Sequence, residues 1–362
     1  MKKILMNKNN IIIFLVSIIT ILFVYNNYFL YKTPILKITN IKEEKISNTD
    51  SKEIYYEQEI EGIIKNGKYK GNILKTHNRT STSGVYDEQI KKHTELLVEL
   101  SEDGESILSI SGIKRDKYIA ILLVLFISLM IIVGEKNGFK TLISLLINII
   151  MSLFVIFIYQ EYLNHINILL LFIPLSFIFI TLSLLITNDK SKKTLSAIIS
   201  SIISLLVSFT LSYILMLIYK DEIPFWFMDY IEAAKDYENI FYVNILLCGL
   251  GAIMDIGITM ASSINELLFK NPKMSLKSLK KSGKEISKDV VGTMVNVMLF
   301  TMFSSIIPFA FLVTRNNIPL HQVLSSVGEI EMIRILCAAI SIVFAIPISL
   351  YTSIYILKGG KK

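Results

Sequence analysis

The sequence predicts an all-α membrane protein: a polytopic bundle of about eight transmembrane helices with a small extracytoplasmic β-rich domain between helices 1 and 2. Of its 362 residues, 52% are hydrophobic and only 19% are charged, whereas soluble domains carry about 25% charged residues. The charges collect in short blocks, and a helix needs about 20 apolar residues to cross the hydrocarbon layer. The apolar runs between the blocks are 11–30, 118–133, 141–159, 168–187, 194–219, 240–261, 291–313 and 332–357.

The loops between these runs alternate in charge, and the alternation predicts the orientation of each crossing. Lysines occur in 134–140, in 188–193 and, seven of them, in 262–289. By contrast, 220–239 carries six acids against two lysines. Because cytoplasmic loops are enriched in Lys and Arg, both termini and the lysine-bearing loops are predicted inside, with residues 32–116 outside. The net charge of +7 is thus a topology signal and does not indicate a nucleic-acid partner.

The first apolar run is predicted to be an uncleaved anchor. It is longer than the apolar part of a signal peptide, and no small-residue cleavage pattern follows it. The predicted domains are an anchor at 1–31, the β-rich domain at 32–116 and a seven-helix domain at 117–362, which contains the basic cytoplasmic loop 262–290. Cleavage of the first run is the main alternative, and it changes no other orientation.

Residues 32–116 form the longest hydrophilic segment, and their pattern favours strands. Apolar residues alternate over 54–64 and again over 96–100, which is typical of strands with one buried face. Asp103-Gly104, followed by Leu108 and Ile110, predicts a hairpin. We expect roughly four to six short strands in a small barrel or half-barrel.

Two loops are predicted to be more than connectors. The stretch 224–239 begins at a proline and contains several aromatic residues, which predicts a short helix at the outer interface with Trp226 as an anchor. In 262–290, apolar residues recur at helical spacing on both sides of Asn271-Pro272, which predicts two amphipathic pieces around a break. This basic segment either touches anionic lipid or docks a partner protein.

One ionisable residue lies well inside an apolar run. Placing the charge of Asp255 mid-helix costs about 2.5–3.5 kcal/mol, and such acids usually face a bundle interior or a wet cavity. Helical spacing puts Gly251 and Thr259 on the same face as Asp255. With Gly249 and Gly257 on this helix, the small residues favour close approach of a neighbouring helix.

The next apolar run begins with a second polar stretch, in which Gly292, Thr293, Asn296 and Ser304 share one face. Counted from the same cytoplasmic side, Asp255 and Asn296 each lie roughly 10–12 Å inside, which makes Asn296 the predicted partner of Asp255. The predicted substrate or ion pathway consists of Gly251, Asp255, Thr259, Thr293, Asn296 and Ser304, with Gly249, Gly257 and Gly292 as helix-packing positions.

Asp255 has two interpretations: a hydrogen bond that joins two helices, or a site for a substrate, cation or proton. Intramembrane acids favour the functional interpretation. An enzyme is not predicted, because one acid without a second acid, a base or a metal cluster supplies no mechanism. We therefore predict no catalytic residue, metal site or cofactor. Cys248 and Cys337 lie inside apolar runs without CxxC spacing and indicate no redox chemistry.

The same two helices resemble a known family. The motifs GAIMDI at 251–256 and DVVGTMVN at 289–296, with Ser282-Gly283 between them, are similar to the signature of the YibE/F-like membrane proteins. The resemblance covers about 115–360, and the N-terminal helix and polar domain are similar to the YibE type. It implies a multi-pass protein of the bacterial plasma (inner) membrane and a shorter YibF-type membrane partner, and it names no substrate.

The leading functional hypothesis is a permease or export component of unknown substrate, in which Asp255 binds a cation or exchanges a proton. The alternative is a non-transporting scaffold or envelope-assembly subunit, which binds partners through its outer domain and inner basic loop. Membrane lipids are the expected surroundings, and the Gly and Ala stripes leave oligomerisation open.

Overall fold

The computed structural model describes residues 8–46, 54–82, 87–161, 167–223, 237–315 and 328–359, together with 319 and 321. The chain divides into two compact units, Met1–Glu135 and Lys136–Lys362. Each unit has its own core of buried apolar side chains. The predicted interfacial helix at 224–239 falls, except for its last three residues, outside the described part of the chain.

The first unit begins with an apolar helix and continues into a sheet. Helix α1 spans Lys8–Tyr25, and a 3₁₀ turn follows at Asn27–Leu30. Ser17 of α1 bonds Ser128 of the following long helix at 2.8 Å between hydroxyl oxygens. The strands are β1 (Ile35–Ile46), β2 (Tyr55–Ile64), β3 (Ile73–Ser81), β4 (Glu95–Leu100) and β5 (Ile107–Ile113).

The five strands form one antiparallel sheet in the order β3-β2-β1-β4-β5. The edge strands β3 and β5 also contact each other, as they do in a partly closed barrel. The turn between β4 and β5 contains Gly104, whose φ of +71° suits glycine, so the predicted Asp103-Gly104 hairpin is confirmed. The sheet core consists of Leu36, Ile38, Ile60, Ile64, Leu74, Ile90, Leu96 and Val98.

A long apolar helix, α2 (Asp116–Glu161), follows the sheet. Its 46 residues are more than twice the roughly 20 that one crossing of the hydrocarbon layer needs. The backbone leaves helical geometry at Glu135, where φ is 47° and ψ is −127°. The two predicted spans 118–133 and 141–159 therefore lie in α2, on either side of this break.

The second unit contains the remaining described helices, which are α3 (Ile168–Thr187), α4 (Lys192–Ile218), α5 (Tyr237–Cys248), α6 (Leu250–Lys270), α7 (Leu276–Arg315) and α8 (Glu329–Gly359). Only Gly249 separates α5 from α6. Helix α8 packs against α4, α6 and α7, and α4 also packs against α6. Because lipid tails are as apolar as these side chains, helix association in a membrane depends on close packing and hydrogen bonds.

Helices α6 and α7 form a hairpin whose bend coincides with the predicted proline break. Helix α6 ends at Lys270, residues 271–275 form the bend, and Leu279 of α7 is fully buried. The two predicted amphipathic pieces are therefore not separate helices. They continue without interruption into the apolar parts of α6 and α7.

Six helical stretches of the described chain are long and apolar enough to cross a membrane. The apolar part of α1, Ile12–Tyr25, is shorter than the others. The structure thus shows several long apolar helices with a small β domain near the N-terminus, while the count of eight crossings and their topology stay predictions. The six stretches are Asp116–Glu161, Ile168–Thr187, Lys192–Ile218, Glu238–Lys270, Leu276–Pro308 and Glu329–Gly359.

Candidate functional site

Helix α6 carries Asp255 on the surface of the helical unit. The opposite face of α6 is apolar and fully buried at Ile253, Ile256 and Met260, and this packing fixes the rotation of the helix. Asp255 and Gly251 are exposed, and Thr259 is half-buried beside them. Over the part of the chain that the structure describes, the Asp255 carboxylate has no hydrogen bond or ion pair.

Contacts between α6 and α7 define their register. A Cβ placed on Gly283 would lie 3.2 Å from Ile264 Cδ1, and Ser287 Oγ lies 4.0 Å from Met260 Sδ. The helices are antiparallel, so each residue forward along α7 is level with one residue back along α6. Asp255, five residues before Met260, is therefore level with position 292 of α7.

The same register places Asn296 about one helical turn, roughly 6 Å, further along α7 than the level of Asp255. Asn296 and Thr293 are both exposed. The Thr293 hydroxyl donates to the Asp289 carbonyl at 2.6 Å. In the described residues Asn296 and Asp255 share no hydrogen bond.

Ser304 stands apart from the polar cluster on α7. It is exposed, and its hydroxyl donates to the Thr301 carbonyl at 2.6 Å. Phe300, which is 77% exposed, lies between Asn296 and Ser304 on the same face. The polar positions that lie near the level of Asp255 are therefore Thr293 and Asn296.

The three glycines predicted to pack helices differ in their surroundings. A Cβ on Gly257 would lie 2.5 Å from Ser201 Oγ, and one on Gly249 would lie 2.9 Å from Ser341 Cβ. Both positions therefore lie where a neighbouring helix approaches closely. A Cβ on Gly292 would meet no described atom within 4 Å. The surface of α7 at the level of Asp255 therefore has free space beside this glycine.

Helix α4 presents a buried row of hydroxyls that the sequence reasoning missed. Ser196, Ser200, Ser204, Ser208 and Ser212 recur every fourth residue, and each is at most 1% exposed. Residues four apart lie on one helical face, so this spacing was the available signal. The row forms the face of α4 that packs against the rest of the unit.

The hydroxyls of this row bond mainly to their own helix. Ser204 donates to the Ser200 carbonyl at 2.7 Å. A bond between helices joins Ser196 to Ser353 of α8 at 3.0 Å. A Cβ on Gly257 of α6 would lie 3.4 Å from Ser200 Oγ. Because small side chains let helix backbones approach closely in lipid, the row acts as a packing surface of α4 against α8 and α6.

The first unit contains a buried group of charges that was also missed. Lys114 and Glu95 have side chains only 0% and 2% exposed, with Lys114 Nζ 3.6 Å from Glu95 Oε2. Lys114 also lies 2.8 Å from Asp116, and Lys117 lies 2.6 Å from Glu95. Two cations thus balance two carboxylates, as buried charges require.

Two tyrosines complete this network at the end of α1. Tyr28 donates to Glu95 Oε1 at 2.5 Å, and Tyr31 donates to Asp116 Oδ2 at 2.9 Å. Burial, followed by the hydrogen bond to Glu95, raises the pKa of Tyr28 well above its usual range. Burial, followed by the hydrogen bond to Asp116, raises the pKa of Tyr31 to about 12. The network fastens the sheet to the adjoining ends of α1 and α2.

The described residues contain no group of three His, Cys, Asp or Glu side chains that could hold a metal ion. Around Asp255 the described residues also do not bring together a nucleophile, a general base and a residue that orients the base. The arrangement offers one carboxylate on an apolar helix, with hydroxyl and amide groups on the next helix.

The fold and this site define the class: a multi-span α-helical membrane protein with a small β domain and an acid on an apolar helix. The family model described as YibE/F-like protein matches residues 122–359, and the one described as YibE/F family N-terminal domain matches residues 29–114. The chain belongs to the YibE/F family. Comparison with curated proteins and with solved structures finds no match.

Proposed function

We propose that this protein is a permease or export component in which Asp255 binds a cation or exchanges a proton. The observation that carries the proposal is an exposed carboxylate on an apolar helix, with no hydrogen-bond partner in the described structure. Facing hydrocarbon, such a charge costs about 2.5–3.5 kcal/mol, and intramembrane acids usually face a wet cavity or another protein. A water-accessible pathway along α6 and α7 removes that cost.

The depth of Asp255 supports a site inside the membrane. It lies eight residues from Ser263, near the end of the apolar run, which corresponds to about 12 Å along the helix. Thr259 lies one turn nearer to that end, and Gly251 lies one turn further in. In this proposal, an ion or proton that enters from the cytoplasmic side meets the carboxylate about 12 Å along α6.

Helix α7 supplies the second wall of the proposed pathway. Gly292 leaves space at the level of Asp255, and Thr293 and Asn296 add polar atoms within about one turn. Ser304 lies further along α7. A carboxylate, an amide and hydroxyls are hard oxygen-bearing ligands, which suit a cation or a water-borne proton.

The proposal includes the predicted orientation. Both termini lie in the cytoplasm and residues 32–116 lie outside, in the bacterial plasma (inner) membrane, as the lysine-bearing loops indicate. A shorter YibF-type protein is the proposed membrane partner. The β domain then meets substrate on the outer side.

Thiol labelling tests the pathway without knowledge of the substrate. In a chain with Cys248 and Cys337 replaced by Ala, the variants Asp255→Cys and Asn296→Cys are treated with a charged, water-soluble thiol reagent. We expect both to react, because the thiolate is the nucleophile that attacks the reagent, and a thiol in hydrocarbon stays protonated.

The matched control is Ile203→Cys on α4. Ser201, two residues away, contacts α6 at Ile253 and Gly257, so Ile203 lies near the level of Asp255. Ile203 is exposed and apolar, and it should remain unlabelled. Equal, low reactivity at 203 and 255 rules out a wet pathway.

A transport measurement tests the role of the carboxylate. Cells that produce the protein are compared with cells that lack it for their content of small solutes, and Asp255→Asn should abolish the difference at equal membrane level. Glu266→Gln is the control, because Glu266 is an exposed acid on the same helix, paired with Lys270 beyond the apolar run. A solute difference that persists in Asp255→Asn contradicts the proposed role.

A scaffold subunit is the second candidate function. The observation in its favour is that the β domain has its own buried core and its own charge network. Replacing exposed charges of the sheet, such as Glu59 and Lys75, tests it. A scaffold loses co-purifying partners in those variants, whereas a permease keeps its solute difference.

A further inference from the structure

A groove lies between the beginning of α7 and the end of α8. Its volume is about 450 Å³, and Leu276, Lys280, Tyr351, Ile354, Tyr355 and Lys358 line it. This surface is several turns away from Asp255 and takes no part in the proposed pathway. We propose that the groove binds an anionic phospholipid, with the lipid phosphate between Lys280 and Lys358.

The groove is held in shape by contacts across the two helices. Lys358 donates a hydrogen bond to the Met274 carbonyl, which ties the end of α8 to the bend before α7. The Lys280 ammonium lies 5.6 Å from the centre of the Tyr351 ring. A Cβ on Gly283 would lie 2.3 Å from Leu350 Cδ1, so the glycine permits the close approach of α7 to α8.

The level of the groove matches that of lipid headgroups. Ser353 of α8 bonds Ser196 of α4, and Lys192 and Lys193 lie only one turn before Ser196. Lysines that end an apolar run lie at the membrane–water interface. Because Lys358 follows Ser353 by five residues, the groove lies at the same interface.

The chemistry of the lining selects the ligand. Two ammonium groups border the groove, and the described residues that line it include no carboxylate, so a negative charge is favoured there. Tyr355 is 80% exposed and Tyr351 is 46% exposed, and tyrosines suit the boundary between headgroups and acyl chains. Leu276, which is 53% exposed, offers an apolar surface to an acyl chain, and a free phosphate ion would leave that surface uncovered.

Binding of defined lipids to the full-length protein in detergent tests the proposal. Native mass spectrometry follows titration with phosphatidylglycerol and, separately, with phosphatidylcholine. We expect adducts at lower concentration with phosphatidylglycerol. Since each of the two lysines attracts an anionic headgroup, Lys280→Gln/Lys358→Gln should weaken that binding by roughly tenfold or more.

The control removes two other lysine charges, which lie outside the groove. Lys277 and Lys281 are exposed on the same turns of α7 and do not line it, so Lys277→Gln/Lys281→Gln should leave the affinity within about twofold. Equal weakening in both double variants overturns the proposal in favour of diffuse attraction to the basic segment.

Two single variants keep the test decisive if the loss of the Lys358 bond unfolds the hairpin. Lys280→Gln and Tyr355→Ala leave that bond intact, and each should weaken phosphatidylglycerol binding. Unchanged binding in both variants overturns the groove. Equal affinity for the two lipids, or full competition by glycerol phosphate, overturns the assignment of an anionic phospholipid.

Discussion

At the scale of single residues, Lys114 and Glu95 in the first unit differ from Asp255 in the second unit in burial and in pairing. Lys114 and Glu95 are buried and paired, so removal of either one upsets the balance of two cations and two carboxylates and should destabilise the first unit. Asp255 is exposed and unpaired in the described structure. A charge that a fold pairs is usually structural, whereas one left available on an apolar helix favours a functional interpretation.

The raised pKa values of Tyr28 and Tyr31 predict alkaline instability of the first unit. In the unfolded chain the pKa of both phenols is about 10. In the folded protein the pKa of both is raised, for Tyr31 to about 12. Below about pH 10 their contribution to the free energy of unfolding is complete, and it falls as pH rises toward 12, because the unfolded state loses its protons first.

Unfolding of the full-length protein is therefore measured by chemical denaturation between about pH 9 and pH 12. The wild-type protein should lose stability more steeply than Tyr28→Phe/Tyr31→Phe, which has no phenol to titrate there. Parallel pH curves for the two proteins would show that these hydroxyls are not held in the network.

At the scale of elements, helix α4 shows how a polar residue type builds a membrane core. Its buried face is a row of serines, whereas its exposed positions, such as Ile203 and Val207, are apolar. This inverts the pattern of a soluble amphipathic helix. In lipid the outer face is satisfied by acyl chains, and the inner face gains most from close backbone approach.

The serine row predicts that size matters more than the hydroxyl. Ser204 is fully buried and its hydroxyl is satisfied within α4, so Ser204→Ala should change stability little. Ser204→Leu should destabilise by about 1–3 kcal/mol, because the added carbons overpack the buried face of α4. Thermal unfolding in detergent measures both, with the exposed Val207→Leu as a control. An alanine cost equal to the leucine cost would assign the hydroxyl an essential role.

At the scale of the whole molecule, the distribution of lysines predicts which parts share a side of the membrane. Ser278 lies on the basic segment of α7, and Glu105 lies in the turn between β4 and β5. Both are exposed, and the predicted topology puts them on opposite sides. In the chain without Cys248 and Cys337, Glu105→Cys should react with an impermeant thiol reagent on intact cells, and Ser278→Cys only after permeabilisation.

Labelling of both positions from the same side would invalidate the orientation. A reversed pattern, with Ser278→Cys reacting first, would contradict the rule that lysines face the cytoplasm here. Either result would also move the proposed entrance to Asp255, since the orientation of α6 and α7 follows that of the basic segment.

Much of the fold follows from local pattern, and the exceptions have physical causes. Alternation identified β2, β4 and the hairpin to β5, because one face of each strand meets the core. The sequence reasoning did not identify β1, whose later residues Lys42, Glu43 and Glu44 are charged. Its strand state comes from the ladder that it forms with β2, and such pairing is a tertiary property.

The sequence by itself determined the apolar helices, the polar β domain and the position of Asp255, since hydrocarbon imposes length and composition residue by residue. Only the tertiary structure decided the depth relation of Asp255 to Asn296, the packing role of the serine row and the groove at the ends of α7 and α8. These depend on how far one helix slides past another, and that register comes from contacts such as those of Gly283 and Ser287, which no single helix encodes.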